Sequence, residues 1–267
     1  GFLWDAAIDF FTKKEMPQGL IFALQVENKL EDAAIVGFES LKNCTSFVTE
    51  FSILGNIIIN LKTSINYRQD CKSKGNSEEI LNSVVINQSK TYDDILEYLK
   101  FAELQLNINK FCIEKSIPFS HEYEIFSSDE SATFVSALLF IYKQYELMDE
   151  MKTSLKLSKM EIFCKVCDIL CKEQPEKIIK IVRKLTKEDR LDILKALAMT
   201  NNREIFFSVM YECFDGKEQE YLFLDYNLIV DSFAIAYASI NMEIIPLIAH
   251  KASLIGDTRT VHECEKI

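Results

Sequence analysis

Glycine and proline are scarce in this chain, with seven Gly and four Pro among 267 residues. Tight turns between strands consume both residues, and Gly alone averages about 7% of ordinary proteins. Helices joined by short connections are therefore expected, and a strand-rich fold is not. Histidine is almost missing. His121, His250 and His262 are the whole complement, and none has metal-ligand spacing such as H-E-x-x-H or stands beside a nucleophile motif. Gly-rich phosphate loops are missing too, since neither G-x-x-x-x-G-K nor G-x-G-x-x-G occurs. These gaps leave no catalytic, cofactor-binding or metal-binding residue to name, and the chain reads as a non-enzyme. The longest apolar run, Phe51 to Leu61, is interrupted by Ser52, Gly55, Asn56 and Asn60. A membrane-spanning helix needs about 20 apolar residues, so no transmembrane segment is expected. No signal peptide is visible, and a start at Gly1 rather than Met reads as an excised fragment. The eight cysteines are spread out and form no dense framework, which points to a reduced, cytoplasmic setting.

What is present is ordinary globular material: 48% apolar and 27% charged residues. The net charge of −11 disfavours binding to a nucleic-acid backbone. The charge is uneven. From Lys152 to Lys187 there are ten Lys or Arg against four Asp or Glu, a local +6, so the remainder carries −17. Within this stretch Lys177, Lys180, Arg183, Lys184 and Lys187 recur at three- to four-residue spacing and form a candidate basic ridge for a partner. The polar, solvated side of an amphipathic helix is the other reading of the same pattern.

Apolar residues recur at helical spacing nearly everywhere. Stripes run through residues 2–11, 20–26 and 30–41, and a long helix is expected from Phe47 to Ile65. The polar segment 66–78, which contains Gly75, is the best loop candidate, with Ser77 capping the helix after it. Thr91 caps a helix to about Leu106, and residues 116–128 read as irregular around Pro118. Ser127 with Glu130, Ser158 with Glu161 and Asn201 with Glu204 have capping-box spacing. Pro175 suits a first helical turn, Thr186 starts a further helix, and Asp215-Gly216 marks a turn. Leu222–Ile240 and Met242–Leu254 read as the helices that follow. The count is thirteen or fourteen helices in hairpins recurring at about 30–40 residues. The expected fold is all-α, an α-solenoid of stacked antiparallel helical hairpins. Its expected parts are N-terminal hairpins at 1–66, a loop at 67–78 and a helical-repeat region at 79–267, or one continuous solenoid.

Cys164, Cys167 and Cys171 form C-x-x-C-x-x-x-C. All three lie on one face of one predicted helix, where four ligands do not close tetrahedrally around an ion. Core packing accounts for them, with metal and redox roles as the rivals. Asp93-Asp94 and Asp149-Glu150 are acidic pairs of the kind that face solvent on helices.

The C-terminal half carries one resemblance. F-V-S-A-L-L-F-I-Y-K-Q-Y-E-L-M-D-E-M at 134–151 and K-L-S-K-M-E-I-F-C-K-V-C-D-I-L at 156–170 precede P-E-K-I-I-K-I-V-R-K-L at 175–185 and F-A-I-A-Y-A-S-I-N at 233–241. This succession resembles the C-terminal helical domain of the Vps16 family. The chain lacks that family's Pro-Ile-Gly and its tryptophan pair, and it carries an extra hairpin near 208–230. The resemblance implies a subunit of a vesicle-tethering complex on endosome, lysosome or vacuole membranes. Its helical domain would cradle a Sec1/Munc18-like partner, with membrane association only through the complex. Two rivals stand beside it: a helical-repeat scaffold of another assembly (nuclear pore, meiotic or proteasome-lid-like), and an accessory domain of an enzyme.

Overall fold

A computed structural model describes residues 2–125, 128–200 and 202–267, and of Phe2 and Leu81 the backbone alone. The protein is all-α. The described residues form sixteen α-helices, one short 3-10 turn and no strand. In order the helices are α1 Phe2–Lys13, α2 Pro17–Val26, α3 Leu30–Leu41, α4 Phe47–Ser73, α5 Ser77–Asn82, α6 Tyr92–Glu114, α7 Asp129–Ile141 and α8 Tyr145–Leu155. Then follow α9 Lys159–Glu173, α10 Pro175–Val182, α11 Lys187–Met199, α12 Arg203–Cys213, α13 Gly216–Asp225, α14 Ile229–Ser239, α15 Ile245–Ile255 and α16 Thr258–Glu265. The 3-10 turn is His121–Tyr123.

The scarcity of glycine has a local consequence. Helices very commonly end on a residue in the left-handed region, usually Gly because it has no Cβ to clash. Here Gly75 and Gly256 take that role, but Glu15, Asn28, Ser116, Lys143, Lys156, Asn227 and Ile240 also hold positive φ. At Asn28 the end is of the Schellman type: Lys29 N–H donates to the Leu24 carbonyl and Asn28 N–H to the Gln25 carbonyl. The same paired bonds recur at Asn227, where Leu228 reaches Phe223, and at Lys143, where Gln144 reaches Leu139. Asn tolerates this conformation; Ile240, with its branched Cβ, is the costly member of the set. The stops at Glu15, Asn28, Lys143, Lys156 and Asn227 each leave three residues before the next helix begins.

Two compact units emerge from the packing. The first comprises residues 1–136 and 145–156, the second 137–144 and 157–267, so the division falls within α7. In the first unit α2 packs on α1 and α3, and α4 packs on α3 and α6. Leu54, Ile57 and Leu61 of α4 join Ala34 and Leu41 of α3 and Ile95 and Ala102 of α6 in one core. The α3–α4 contact is close enough that a Cβ on Gly37 would lie 2.7 Å from Cγ1 of Ile57. In the second unit α9, α10, α11 and α12 pack on one another, and α13 to α16 share a core of Leu224, Ile229, Ala236, Ile248 and Ala252.

Several boundaries differ from the sequence reading. The stretch 66–78 is helical to Ser73, because Ile65 and Cys71 bury apolar surface along α4 and carry the helix through its polar neighbours. It lies inside the first unit. The helix after Thr91 continues to Glu114 on a buried row of Leu104, Ile108, Phe111 and Cys112. The expected helix Leu222–Ile240 breaks at Asn227. Capping also shifts. Ser127 and Asn201 lie outside the described residues, and Ser128 Oγ accepts from Ser131 N–H at 3.1 Å at the start of α7. Ser158 Oγ accepts from Glu161 N–H at 3.5 Å. Ser77 is the first residue of α5, behind Asn76 at the cap, which makes no side-chain cap bond. Complete boxes occur instead at Thr91–Asp94 and Asp215–Glu218. Asp94 of the acidic pair is thus a helix-start residue, and its carboxyl is held below the ordinary value by hydrogen bonds from the Thr91 backbone and side chain.

Candidate functional site

Helix α10 begins at Pro175, whose fixed φ and missing N–H suit a first turn. Ile178 and Val182 bury its apolar side. Lys177, Lys180, Arg183, Lys184 and Lys187 are all exposed. The five are not equivalent. Arg183 reaches across to Glu212 of α12, and Lys187 lies 2.6 Å from Glu218 of α13. Exposed pairs of this kind contribute little stability, but each cancels a charge. Lys177, Lys180 and Lys184 have no such carboxylate among the described residues. The ridge therefore reduces to three uncompensated lysines.

An open groove of about 510 Å³ lies between α10 and α12, lined among others by Cys171, Glu176, Ile179, Arg203, Glu204 and Ile205. A smaller cavity of about 210 Å³ lies on the other side of Arg203, walled by Leu197, Phe206, Phe207, Tyr226 and Leu228. Its walls are aromatic and aliphatic, and the Phe206 and Tyr226 rings meet edge-on at 5.0 Å. Burial raises the Tyr226 hydroxyl above its ordinary value, with the Asp225 carboxylate adding to the effect. Sequence reading missed both hollows, because their walls come from separate helices and connections along the chain.

The three-cysteine face of α9 is core. Cys167 is fully buried, and Cys164 and Cys171 are half-buried. Burial is the first cause raising all three thiols, with Cys171 pushed up to about 11 and Asp168 contributing to each. Nucleophilic or metal-binding thiols need the opposite shift. Among the described residues no three His, Cys, Asp or Glu side chains gather as a metal ion would require. His250 is exposed on α15, and His262 lies 3.9 Å from Glu265.

His121 is the histidine in a structured place. Its Nδ1 meets the buried Glu124 carboxylate, and its ring stands edge-on to Phe119 at 5.4 Å. Gln105 ties this segment to α6: its amide donates to the Tyr123 carbonyl at 3.1 Å, and its Oε1 accepts from Ile125 N–H at 3.0 Å. Beside it Glu50 is almost fully buried, and its Oε1 has no hydrogen-bond partner. Burial pushes the Glu50 carboxyl up to about 7; Asn109 opposes the rise, Glu124 adds to it and His121 opposes it. These groups form an interior polar cluster, and Gln105 holds the 121–125 segment against α6.

No helix among the described residues is long and apolar enough to cross a membrane. The architecture and the site together define an all-α protein with an exposed lysine row beside an open groove. Comparison of the chain with protein-family models, with curated proteins and with solved structures found no match in any of the three.

Proposed function

We propose that this chain is a non-enzymatic protein–protein interaction scaffold whose helical hairpins stack as an α-solenoid. The observation that carries the proposal is the row Lys177, Lys180 and Lys184, exposed and uncompensated on a chain of net charge −11. Stacked helices bury one side of each hairpin and leave the other free for partners. A charge row left unpaired on an acidic protein favours an acidic protein surface and steers its approach. The resemblance of 134–185 and 233–241 to the Vps16 C-terminal helical domain supports a finer form of the proposal. In that form the chain is a subunit of a vesicle-tethering complex, and it binds a Sec1/Munc18-like protein on the cytoplasmic side of endosome, lysosome or vacuole membranes.

Affinity capture from cell lysate with mass spectrometry tests both levels, run with wild type and with Lys180→Glu/Lys184→Glu. Specific recovery of a Sec1/Munc18-like protein, reduced by the double variant, is the expected result. Recovery of nuclear proteins alone overturns the trafficking form, and absence of any stoichiometric partner overturns the scaffold reading.

A further inference from the structure

The groove between α10 and α12 and the lysine row belong to one surface. At about 100° per residue, three rows run along α10. Ile178 and Val182 face the core. Glu176 and Ile179 face the groove, and Arg183 continues that row to its pair with Glu212 of α12. Lys177 and Lys180 form the next row outward, and Lys184 follows in the turn after the helix. The lysines therefore stand outside the groove lining, on the solvent side of its α10 lip, with Lys180 nearest the groove-facing row. Arg203, exposed and without a carboxylate partner among the described residues, stands on the α12 side.

The floor has a different character. Ile179, Ile205 and the half-buried Cys171 give it an apolar centre, while Glu176 and Glu204 line the same hollow. An acidic side chain is repelled from the floor and attracted to the lip. A volume of about 510 Å³ has room for a few side chains and none of the enclosure of a small-molecule site.

We infer that this groove binds a short acidic peptide segment of another protein. One apolar side chain of the segment packs against Ile179 and Ile205, and Asp or Glu residues flanking it lie along Lys177, Lys180 and Lys184. The charge pattern specifies the occupant: acids on both sides of the anchor, and none at the anchor itself. This inference rests on the scaffold reading and narrows it to one surface and one partner chemistry.

The test is selection of a random twelve-residue peptide display library on the full chain, followed by fluorescence anisotropy with the enriched peptides. Peptides with an apolar residue flanked by Asp or Glu are expected. Lys180→Glu/Lys184→Glu should weaken them at least tenfold and Ile205→Ala several-fold, with unchanged circular dichroism. Affinity should also fall steeply as salt rises, since exposed charges are screened. Enrichment of neutral or basic peptides overturns the inference, as does binding indifferent to both variants or no enrichment at all. Phosphatidylserine vesicles form a parallel arm. Vesicle binding lost in the double variant, with no peptide selected, assigns the lysines to a lipid surface and also overturns it. If lysate capture still yields a partner that the groove variants leave untouched, the groove falls and the scaffold reading stands.

Discussion

The two compact units handle charge in opposite ways. The first buries it. Glu31 on α3 is fully buried and takes Arg68 of α4 in a two-pronged pair at 2.8 Å on each side. The same carboxylate accepts from Ser64 and, at 2.7 Å, from the Asn87 N–H. Arg68 also donates to the Lys90 carbonyl at 3.1 Å. One ion pair thus fixes α3, α4 and the segment before α6. The second unit keeps most of its charge outside. Lys159 at the start of α9 lies 2.8 Å from Asp189 and 2.9 Å from Asp192 of α11 while still 39% exposed. Its buried acid, Glu220, is satisfied without a cation: Ser239 and Asn241 donate to its carboxylate. Burying a charge is costly unless every lone pair is met, so breaking a buried pair leaves a large penalty and breaking an exposed one a small penalty. The first unit therefore holds part of its geometry through a desolvated ion pair, and the second carries lysines with no carboxylate partner among the described residues.

The largest test of this contrast is Arg68→Ala. It strands Glu31 in the core and should destabilise the first unit by about 3–5 kcal/mol. Urea unfolding followed by Trp4, the single tryptophan, reads that unit directly, since Trp4 packs edge-on against Phe22 at 5.9 Å. A loss below about 1 kcal/mol would place this pair with the surface bridges.

Glu50→Gln comes next and has the opposite sign. A carboxyl raised from 4.5 to about 7 is protonated in the folded state at low pH. The stability linked to that shift is fully present below about pH 4.5 and is lost as pH rises through about 7. At about 1.4 kcal/mol per unit the change is on the order of 3 kcal/mol. The Gln variant should match wild type near pH 4.5, exceed it at pH 8 and flatten the pH profile. A parallel profile for both proteins would remove Glu50 from the explanation.

In the second unit, Ile240→Gly should stabilise by about 1–2 kcal/mol, because it relieves a branched residue at φ 57°. Some of that gain is offset by the greater freedom of Gly in the unfolded chain. Hydrogen exchange of residues 229–255 is the measurement, and faster exchange would contradict it. Lys159→Ala should give the smallest effect, no more than about 1 kcal/mol, shrinking further in high salt. A salt-independent loss above 2 kcal/mol would mean that the second unit, too, depends on desolvated charge.

Legibility in the sequence followed from how local each signal was. The apolar stripe of Ile162, Phe163, Val166 and Leu170 lies within one helix, and all four are buried. Thr91 caps as expected, and Thr186 caps the helix it was expected to start, because an N-cap needs only the next three residues. The stops at Lys143 and Asn227 were not legible. Neither is glycine, so the positive φ at each has no marker in the residue type as strong as Gly provides. The five-residue basic ridge was legible as a spacing, whereas its reduction to three lysines was not, since Glu212 and Glu218 approach from α12 and α13.

Helical character, the apolar side of each helix and the place where positive charge concentrates were all readable before any fold was known. Periodicity, turn-residue scarcity and composition carry those facts within a few residues of one another. Which carboxylates are buried, which lysines lack carboxylate partners among the described residues, and that α10 and α12 flank a groove emerge only from the folded chain. Those outcomes depend on residues 19 to 56 apart along the chain meeting in space, and one-dimensional spacing does not encode such encounters.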